Sequence, residues 1–269
     1  GAGDDRAQGV AVQSNGRIVL AGYSYNGSNN DFAVVRYNSD GTLDTTFSGD
    51  GKLTTAISTS NDDGYAVLVQ SDGKIVVVGS SLIGGTNWDF AAARYNSDGT
   101  LDTSFSGDGL ANFAVGTGHD YACGVALQPD GKLVLAGYGV NGATSDFAVV
   151  RLNSSGTLDT SFSGDGKLFT AIGASEDLAT SVTLQTDDKI VLAGTYANGA
   201  NTDLAVARYN VDGSLDTSFD SDGIKTLALP AGSNQVTGVA VSNGRIVAVG
   251  TTQSKLAAVF LGTNGTPEA

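Results

Sequence analysis

The stretch "DFAVVRYNSDGTLDTTFSGDGK", which begins at Asp31, decides the fold because near-copies of it follow along the chain. Its first part returns as "DFAAARY" at Asp89, "DFAVVRL" at Asp146 and "DLAVARY" at Asp203, at intervals of 58, 57 and 57 residues. A degraded fifth copy, "KLAAVFL", begins at Lys255. Self-similarity at a fixed period is typical of repeat proteins, so the repeat is the unit of the fold.

A second segment recurs five times, always before the first, and combines a turn with an apolar run. Its copies are "NGRIVLAG" at Asn15, "DGKIVVVG" at Asp72, "DGKLVLAG" at Asp130, "DDKIVLAG" at Asp187 and "NGRIVAVG" at Asn243. An Asn-Gly or Asp-Gly pair between apolar segments favours a β-hairpin, which predicts a short strand A before it and a strand B after it. Strand B is apolar without interruption, so both of its faces are predicted to be buried. "DFAVVRY" is strand C, and a strand D follows the acidic loop in every unit except the fifth.

These repeats predict an all-β fold, a five-bladed β-propeller of four-stranded antiparallel blades in a single domain over residues 1–269. Consecutive four-stranded units of this length are typical of propellers, in which each blade buries its faces on its neighbours. The last blade is predicted to have three strands, because the tail after the fifth strand C is short and contains Pro267. Its outer strand, Lys255 to Phe260, is then an unpaired edge, which either self-associates edge to edge or is covered by a flanking strand of a longer protein. The predicted units are 4–57, 58–115, 116–172, 173–229 and 230–269.

At these residues the sequence resembles the delta-60 repeat family, a bacterial repeat found in large and often secreted proteins. The resemblance rests on the pattern "R-Y-N-x-D-G-x-L-D-T-S-F" and its close variants, which occur four times, and it covers essentially the whole chain. The fifth unit departs from the pattern with "VFLGTNGTPEA", which lacks the arginine and "LDTSF". The resemblance implies a β-propeller, and it implies no particular activity.

Composition argues against several classes of function. The 269 residues carry a formal net charge of −14, and an acidic surface repels phosphate backbones, so no nucleic-acid partner is expected. No run approaches the roughly 18 apolar residues of a membrane span, so no membrane insertion is expected. The single cysteine, Cys123, cannot form an internal disulfide and is predicted to be a buried, inert thiol. This acidic, nearly cysteine-free composition favours an extracellular or cell-surface protein.

The acidic loop between strands C and D has two interpretations. It offers oxygen ligands at Asn38, Asp40, Asp44 and Asp50, but its spacing departs from an EF-hand calcium loop, whose position 12 is here Gly49. As scaffolding, "NSDG" forms a turn, and the aspartate of "LDTSF" caps one helical turn between two apolar plugs. A buried charge must be paired, so the arginine before each loop is expected to pair with that aspartate. The predicted pairs are Arg36–Asp44, Arg94–Asp102, Arg151–Asp159 and Arg208–Asp216.

The other end of each unit, which holds the B–C and D–A loops, is where the copies differ. "SYNGSNN" in the first unit is replaced by "SLIGGTNW", "YGVNGATS" and "TYANGANT" in the next three. A rigid scaffold that presents variable loops is a common arrangement for binding. This end is therefore the predicted binding surface.

An acidic residue occupies an equivalent position before strand A in four units, and an asparagine occupies it in the fifth. These residues are Asp5, Asp62, Asp120, Asp177 and Asn234. By analogy with other propellers they ring the mouth of a central channel, where the four carboxylates could bind a cation such as calcium. Alternatively, each aspartate accepts hydrogen bonds from the backbone of its own loop.

Three residues of this end break the symmetry of the repeats. Trp88 stands where other units have small polar residues, and its ring could stack on a sugar or pack on its own loop. His119 adjoins Asp120 and could act with it as a general base, or it is an ordinary polar loop residue. Glu176 adjoins Asp177 in the same way. Trp88, His119 and Glu176 join the ring as the predicted binding residues.

The sequence has no nucleophile elbow, no zinc-protease motif, no phosphate loop and no Cys/His metal cluster. It therefore predicts a non-catalytic extracellular binding or adhesion module, with a carbohydrate or a protein as ligand and no cofactor apart from possible calcium. One alternative is a purely structural repeat module of a larger surface protein. Another is an enzyme that acts on glycosides, for which Asp120 and Glu176 are the best candidate carboxylate pair.

Overall fold

The computed structural model describes residues 3–230, 232, 234–253 and 255–268. Its strands form five antiparallel sheets, of which four have four strands and the last has three. Nothing helical within the described residues has the length and hydropathy of a membrane span. The all-β class and the three-stranded last sheet are confirmed.

Strand order follows chain order within every sheet, as the hairpin signals predict. The first sheet contains β1 (Asp5–Val12), β2 (Ile18–Tyr25), β3 (Asn30–Tyr37) and β4 (Lys52–Thr55). The second contains β5 (Asp62–Val69), β6 (Ile75–Ile83), β7 (Asn87–Tyr95) and β8 (Leu110–Phe113). The third contains β9 (Asp120–Leu127), β10 (Leu133–Asn141), β11 (Thr144–Leu152) and β12 (Lys167–Thr170).

The last two sheets continue the same pattern. The fourth contains β13 (Asp177–Leu184), β14 (Ile190–Asn198), β15 (Asn201–Tyr209) and β16 (Ile224–Leu227). The fifth contains β17 (Asn234–Ser242), β18 (Arg245–Thr252) and β19 (Lys255–Leu261). Contacts divide the chain into two compact units, the first of residues 1–127 and 153–157 and the second of residues 128–152 and 158–269.

A bulge in strand A explains the glycine that ends each "LAG" or "VVG" segment. In the first sheet the register of β1 against β2 shifts between Ala7 and Gly9. A Cβ added at Gly22 would lie 1.9 Å from the carbonyl oxygen of Arg6, so a larger residue there would push the two strands apart. The same shift recurs in β5, β13 and β17.

Burial of strand B is only partly as predicted. Strands β6, β10 and β14 are buried on both faces over most of their length. Strands β2 and β18, in the first and last sheets, are fully buried on one face only. The prediction of two buried faces is wrong for these copies, because a strand gains a second buried face only where another sheet packs on it.

Consecutive sheets pack face to face through apolar side chains. We call the side of a sheet that packs on the following sheet its forward face, and the side that packs on the preceding sheet its rear face. In the first compact unit, the first sheet packs on the second. The forward face of the first sheet contributes Val19, Ala21, Phe32 and Val34, and the rear face of the second sheet contributes Ile75, Val77, Ala91, Ala93 and Tyr95. The second compact unit contains two clusters of the same kind. One lies between strands β10 and β11 and the fourth sheet, and the other lies between the fourth and fifth sheets.

Candidate functional site

The C–D loops repeat one arrangement of an arginine, an aspartate and a phenylalanine. In the second sheet, Arg94 Nε donates to Asp102 Oδ2 over 2.7 Å, and Arg94 Cζ lies 4.6 Å from the centre of the Phe105 ring. All three side chains are buried. The other three loops repeat these contacts, so the predicted ion pairs Arg36–Asp44, Arg94–Asp102, Arg151–Asp159 and Arg208–Asp216 are confirmed.

Each of these arginines also reaches the next C–D turn along the chain. Arg94 Nη1 donates to the carbonyl oxygen of Ser154 over 2.6 Å. Phe105 packs on Gly156 of the same turn, where an added Cβ would lie 2.7 Å from the ring. We call the Arg, Asp and Phe side chains, together with the turn that they contact, the clasp. The other three clasps join Arg36 to Ser97, Arg151 to Val211 and Arg208 to Thr263.

The tail of the chain keeps the receiving half of the clasp. Gly262 N–H donates to the Thr266 carbonyl over 2.8 Å, which forms the same turn as in the longer loops. Arg208 Nη1 donates to the Thr263 carbonyl over 2.6 Å. The tail lacks "LDTSF", but its "GTNGTP" still receives the preceding arginine.

The clasp aspartates keep their charge because their partners outweigh burial. Burial by itself raises the pKa of Asp102, but two hydrogen bonds from Ser104 and the charge of Arg94 together hold that pKa below its ordinary value. The same balance lowers the pKa of the other clasp aspartates, Asp44, Asp159 and Asp216. Asp102 and Ser104 form a turn and not the predicted helical cap. The four clasp aspartates thus stabilise the loops that carry them, and calcium binding by the other loop oxygens stays a prediction.

At the opposite end of the sheets, the ring residues lie against the backbone of their own D–A loops. Asp62 Oδ2 accepts hydrogen bonds from the N–H groups of Ile57 and Ser58, over 2.7 and 3.0 Å. Asp120 Oδ2 accepts from Val115 and Gly116, over 2.8 and 2.9 Å. Asp177 Oδ2 likewise accepts from the N–H groups of Ile172 and Gly173, whereas Asn234 Nδ2 donates to the Pro230 carbonyl.

Asp5 differs from the other ring residues because it is exposed, whereas Asp62, Asp120 and Asp177 have no exposed surface. Among the residues that the structure describes, no three His, Cys, Asp or Glu side chains stand together in a way that could hold a metal ion. The geometry of the ring residues is that of loop caps. A cation site there stays a prediction.

In the second, third and fourth sheets, the residue before the ring position forms a bridge that the sequence analysis did not predict. His119 Nδ1 accepts a hydrogen bond from the Trp88 N–H over 3.2 Å. Glu176 Oε2 accepts from the Ser145 N–H, also over 3.2 Å. Asn61, at the equivalent place, accepts from the strand-C backbone of the preceding sheet in the same way. His119 and Glu176 therefore share a structural role, which identifies His119 Nε2 as the nitrogen that carries the proton in the neutral ring.

Trp88 and His119, both predicted site residues, meet in an aromatic cluster with Tyr121. The Trp88 and Tyr121 rings lie 6.0 Å apart at 31°, and the His119 and Tyr121 rings lie 6.4 Å apart at 44°. Tyr121 escaped the sequence analysis because it lies on β9, far from Trp88 in sequence. Nearby, Cys123 Sγ lies 3.8 Å from the Tyr121 carbonyl, and burial raises the pKa of this thiol to about 12, which keeps it protonated at neutral pH.

Two half-buried carboxyls accompany this cluster. Burial raises the pKa of Asp63, and the nearby charge of Asp62 raises it further. Burial and the charge of Asp120 raise the pKa of Asp89 in the same direction. The charge of Asp63 also raises the pKa of Tyr121, after burial as the larger cause, so the two groups are close enough to interact. We call Trp88, His119, Tyr121, Asp63 and Asp89 the aromatic site.

A family model described as "Domain of unknown function (DUF5122) beta-propeller" matches the chain four times. The matched residues are 13–47, 70–105, 128–162 and 185–219, which together make slightly more than half of the chain. Each match begins in the A–B hairpin and ends at the clasp phenylalanine or next to it. The family pattern therefore describes the scaffold and leaves out the D–A loops.

Several solved structures share the fold at low sequence identity. A protein of unknown function from Dyadobacter fermentans is 14% identical, with 97% of this chain and 80% of that chain covered and a TM-score of 0.57. A protein from Lactobacillus plantarum is 14% identical, with coverages of 97% and 69% and a TM-score of 0.58. Sqt1 from Chaetomium thermophilum is 12% identical, with coverages of 98% and 72% and a TM-score of 0.51. No curated protein matches the sequence.

Proposed function

Because the chain belongs to the DUF5122 beta-propeller family, we propose that its sheets are propeller blades that present a non-catalytic binding surface. The surface is the end of the sheets that holds the B–C and D–A loops, and the ligand is a carbohydrate. Five blades in one domain over residues 1–269 remain the expected architecture, with the unit boundaries given above.

The aromatic cluster of Trp88, His119 and Tyr121 carries this proposal. Trp88 and Tyr121 are both half-buried, so each ring is held in place while part of its surface faces solvent. A fixed aromatic face with a few polar groups beside it is the usual chemistry of small-molecule recognition, and the apolar face of a sugar ring can stack on it. The first unit has Asn30 where the second has Trp88, so the cluster is not part of the repeated scaffold.

The carboxyls of the aromatic site supply the polar half of sugar recognition. Asp63 already accepts a hydrogen bond from Asn30 Nδ2 over 2.9 Å, which fixes its orientation. Asp89 follows Trp88 on β7, so its half-buried side chain lies on the opposite face of the strand. Sugar hydroxyls can donate to such carboxylates, and a raised pKa marks groups whose charge the protein has not fully compensated.

We place the module outside a bacterial cell, in an adhesive role. The acidic composition and the resemblance to a repeat of secreted proteins support this location. We expect no cofactor apart from possible calcium at the ring aspartates. No nucleic acid or membrane is a partner, and self-association along the Lys255–Phe260 edge remains open.

A glycan array probed with the purified chain tests the proposal. We expect binding to a subset of glycans, loss of that binding in Trp88→Ala, and no loss in Ser145→Ala, which changes the equivalent position of the third repeat. Circular dichroism should show both variants folded. Binding that survives Trp88→Ala would place the ligand elsewhere.

Other outcomes of the same test favour the alternative functions. The absence of any bound glycan, with binding to a surface protein instead, would reject a carbohydrate ligand. If the chain binds neither a glycan nor a surface protein, a purely structural module is favoured. Release of reducing ends from a polysaccharide, lost in Asp120→Asn or Glu176→Gln, would contradict the non-catalytic assignment.

A further inference from the structure

A cleft at the clasp end lies between the first two sheets, and none of the described residues that line it carries a carboxylate. Its volume of about 500 Å³ is within the roughly 300–1,000 Å³ that is typical of small-molecule sites. The glutamines that follow strand A in the two sheets, Gln13 and Gln70, line it together with Arg17 and Arg36. All of these residues belong to the first compact unit. In a chain of net charge −14, this lining favours an anion.

The A–B turn beside the cleft differs in charge from the next three. In those turns a lysine pairs with an aspartate of its own turn and with the clasp aspartate; these lysines are Lys74, Lys132 and Lys189. Arg17 stands at the place of the lysine, but the place of the turn aspartate is taken by Asn15. Arg17 and Arg36 therefore share one carboxylate, that of Asp44. Asp98, in the next C–D turn, lies outside the lining, and its Oδ1 accepts two hydrogen bonds within its own turn.

The clasp of the first sheet also leaves part of its guanidinium group unbonded. In the other three clasps, the arginine Nη2 donates to a serine hydroxyl over 3.1–3.2 Å, as Arg94 does to Ser104. Thr46 replaces this serine in the first C–D loop, and Arg36 Nη2 makes no such bond to the described residues. Because Arg36 lines the cleft, this nitrogen is a donor for an oxyanion there.

The two glutamine side chains supply acceptors. Gln13 is 8% exposed, and the Oε1 atoms of Gln13 and Gln70 are buried without a hydrogen-bond partner among the described residues. At the same place in the fourth sheet, Gln185 Oε1 accepts from Arg208 Nη1 over 3.3 Å. A buried oxygen without a donor is costly, and a hydroxyl group of a ligand would supply the donor. Gln128 Oε1 is in the same state, so the charge beside Gln13 and Gln70 is what distinguishes this pair.

We propose that this cleft binds a small carboxylate that carries hydroxyl groups, which is the chemistry of a sugar acid. The carboxylate accepts hydrogen bonds from Arg17 and Arg36, whose planar guanidinium groups match its geometry. The hydroxyl groups donate to the oxygens of Gln13 and Gln70. One uncompensated positive charge balances one carboxylate, whereas a phosphate group carries about 1.5–2 negative charges at neutral pH. The cleft is separate from the aromatic site, so this inference does not rest on the proposed function.

Isothermal titration calorimetry of the wild-type chain with sodium glucuronate tests this inference. We expect saturable binding of glucuronate. Acetate, which has the charge without the hydroxyl groups, should bind much more weakly. Glucose, which has the hydroxyl groups without the charge, should not bind. A wild-type chain that does not bind glucuronate, or that binds inorganic phosphate more tightly, would overturn the proposal.

A single change to the turn is the sharpest arm of the experiment. Asn15 Oδ1 accepts from the Arg17 N–H over 3.1 Å, and Asp72 Oδ1 accepts from the Lys74 N–H over the same distance, so Asn15→Asp should keep the turn. The new carboxylate supplies the negative charge that the ligand would bring, so glucuronate should bind about tenfold more weakly or worse. Asn243→Asp adds the same charge to the "SNGR" turn of the fifth sheet and should bind like the wild type. Equal affinities of wild type and Asn15→Asp would overturn the proposal.

Two further variants test the acceptors. Gln13→Leu and Gln70→Leu each remove one amide, so each should lower the affinity for glucuronate towards that for acetate. Circular dichroism should show both variants folded, and the second serves alone if the first does not fold. Undiminished glucuronate binding in both would contradict the role of the hydroxyl groups. Trp88→Ala should bind glucuronate like the wild type, so that failure of the proposed glycan site and failure of this cleft give different results.

Discussion

The pKa values of the carboxyl groups are shifted in opposite directions at the two ends of the sheets. At the clasp end, Asp102 is buried beside Arg94, and its pKa lies below the ordinary value. At the loop end, Asp63 and Asp89 are half-buried beside other carboxylates, and their pKa values lie above it. The clasp end uses its charges to hold the repeat together, whereas the loop end retains charge that its own structure does not neutralise. Such retained charge is more common at functional sites than in scaffolds.

Of the changes that test this contrast, removal of a clasp arginine should lower the free energy of unfolding the most. Arg94→Ala leaves Asp102 buried without its partner and removes the bond to Ser154, so we expect a loss of about 3–5 kcal/mol in the free energy of unfolding. Urea unfolding measures this loss. Arg245→Ala is the control, because Arg245 is 64% exposed and its pair with Glu268 should contribute less than about 1 kcal/mol. Equal losses in the two variants would contradict a structural role for the clasp.

A pair of glycine substitutions isolates the contact between the clasp and its turn. Gly156 and Gly41 have φ values of 83° and 85°, so an alanine strains the backbone equally at both positions. Only at Gly156 does the new methyl group meet a ring, that of Phe105. We expect Gly156→Ala to lower the free energy of unfolding by about 1–3 kcal/mol more than Gly41→Ala does. Thermal melts at low protein concentration compare the two, and equal melting temperatures would count against the contact.

The dependence of stability on pH should have opposite signs at the two ends. The pKa of Asp102 is lowered by folding, so its contribution is present above the unfolded value of about 3.9 and is lost as the pH falls from there through the folded pKa. The pKa of Asp63 is raised by folding, so its contribution is present below about 3.9 and is lost as the pH rises through the folded pKa.

Asparagine variants separate these two contributions. Urea unfolding from pH 7 to pH 3 should show a smaller acid-induced loss of stability in Asp102→Asn than in the wild type. The same series should show a larger loss in Asp63→Asn, because the opposing contribution is gone. Parallel profiles for the two variants would remove the electrostatic contrast between the ends.

Addition of calcium should change the stability of the protein the least. Asp62 and Asp120 each use one carboxylate oxygen for two backbone N–H groups, so we expect the melting temperature to be the same with chelator and with calcium. Binding to the folded state raises the melting temperature by mass action. A clear increase with calcium, lost in Asp120→Asn, would show that the ring holds a cation.

The repeats made the scaffold predictable and left the aromatic site largely hidden. Strand order and the Arg94–Asp102 pair follow from residues that recur together at fixed spacing. The bond from Arg94 to Ser154 does not, because spacing within one repeat says nothing about which backbone atom of the next repeat is within reach. Trp88 stood out only by contrast with the small residues at its equivalent positions, and nothing in the pattern linked it to Tyr121.

The burial of strand B in the first and last sheets could not be predicted from the sequence. The apolar run "RIVLAG" on β2 looks like "KIVVVG" on β6, yet only β6 is buried on both faces. Local sequence reports which side chains could be buried, and the neighbouring sheet decides which are. The apolar pattern of one repeat therefore does not by itself determine how many faces of its strand B are buried.

Each clasp joins residues that are far apart in the sequence, so the repeats complete their contacts in chain order during translation. The carbonyl that receives Arg94 lies 60 residues further along the chain. At the usual 5–20 residues per second, a ribosome needs roughly 3–12 seconds to add that length. During this delay the newly made repeat has its strands but lacks the acceptor for its arginine, so each repeat matures only when its successor emerges. Translation thus imposes a direction on assembly, and a pause within one repeat would leave the preceding one exposed to proteases and to other nascent chains.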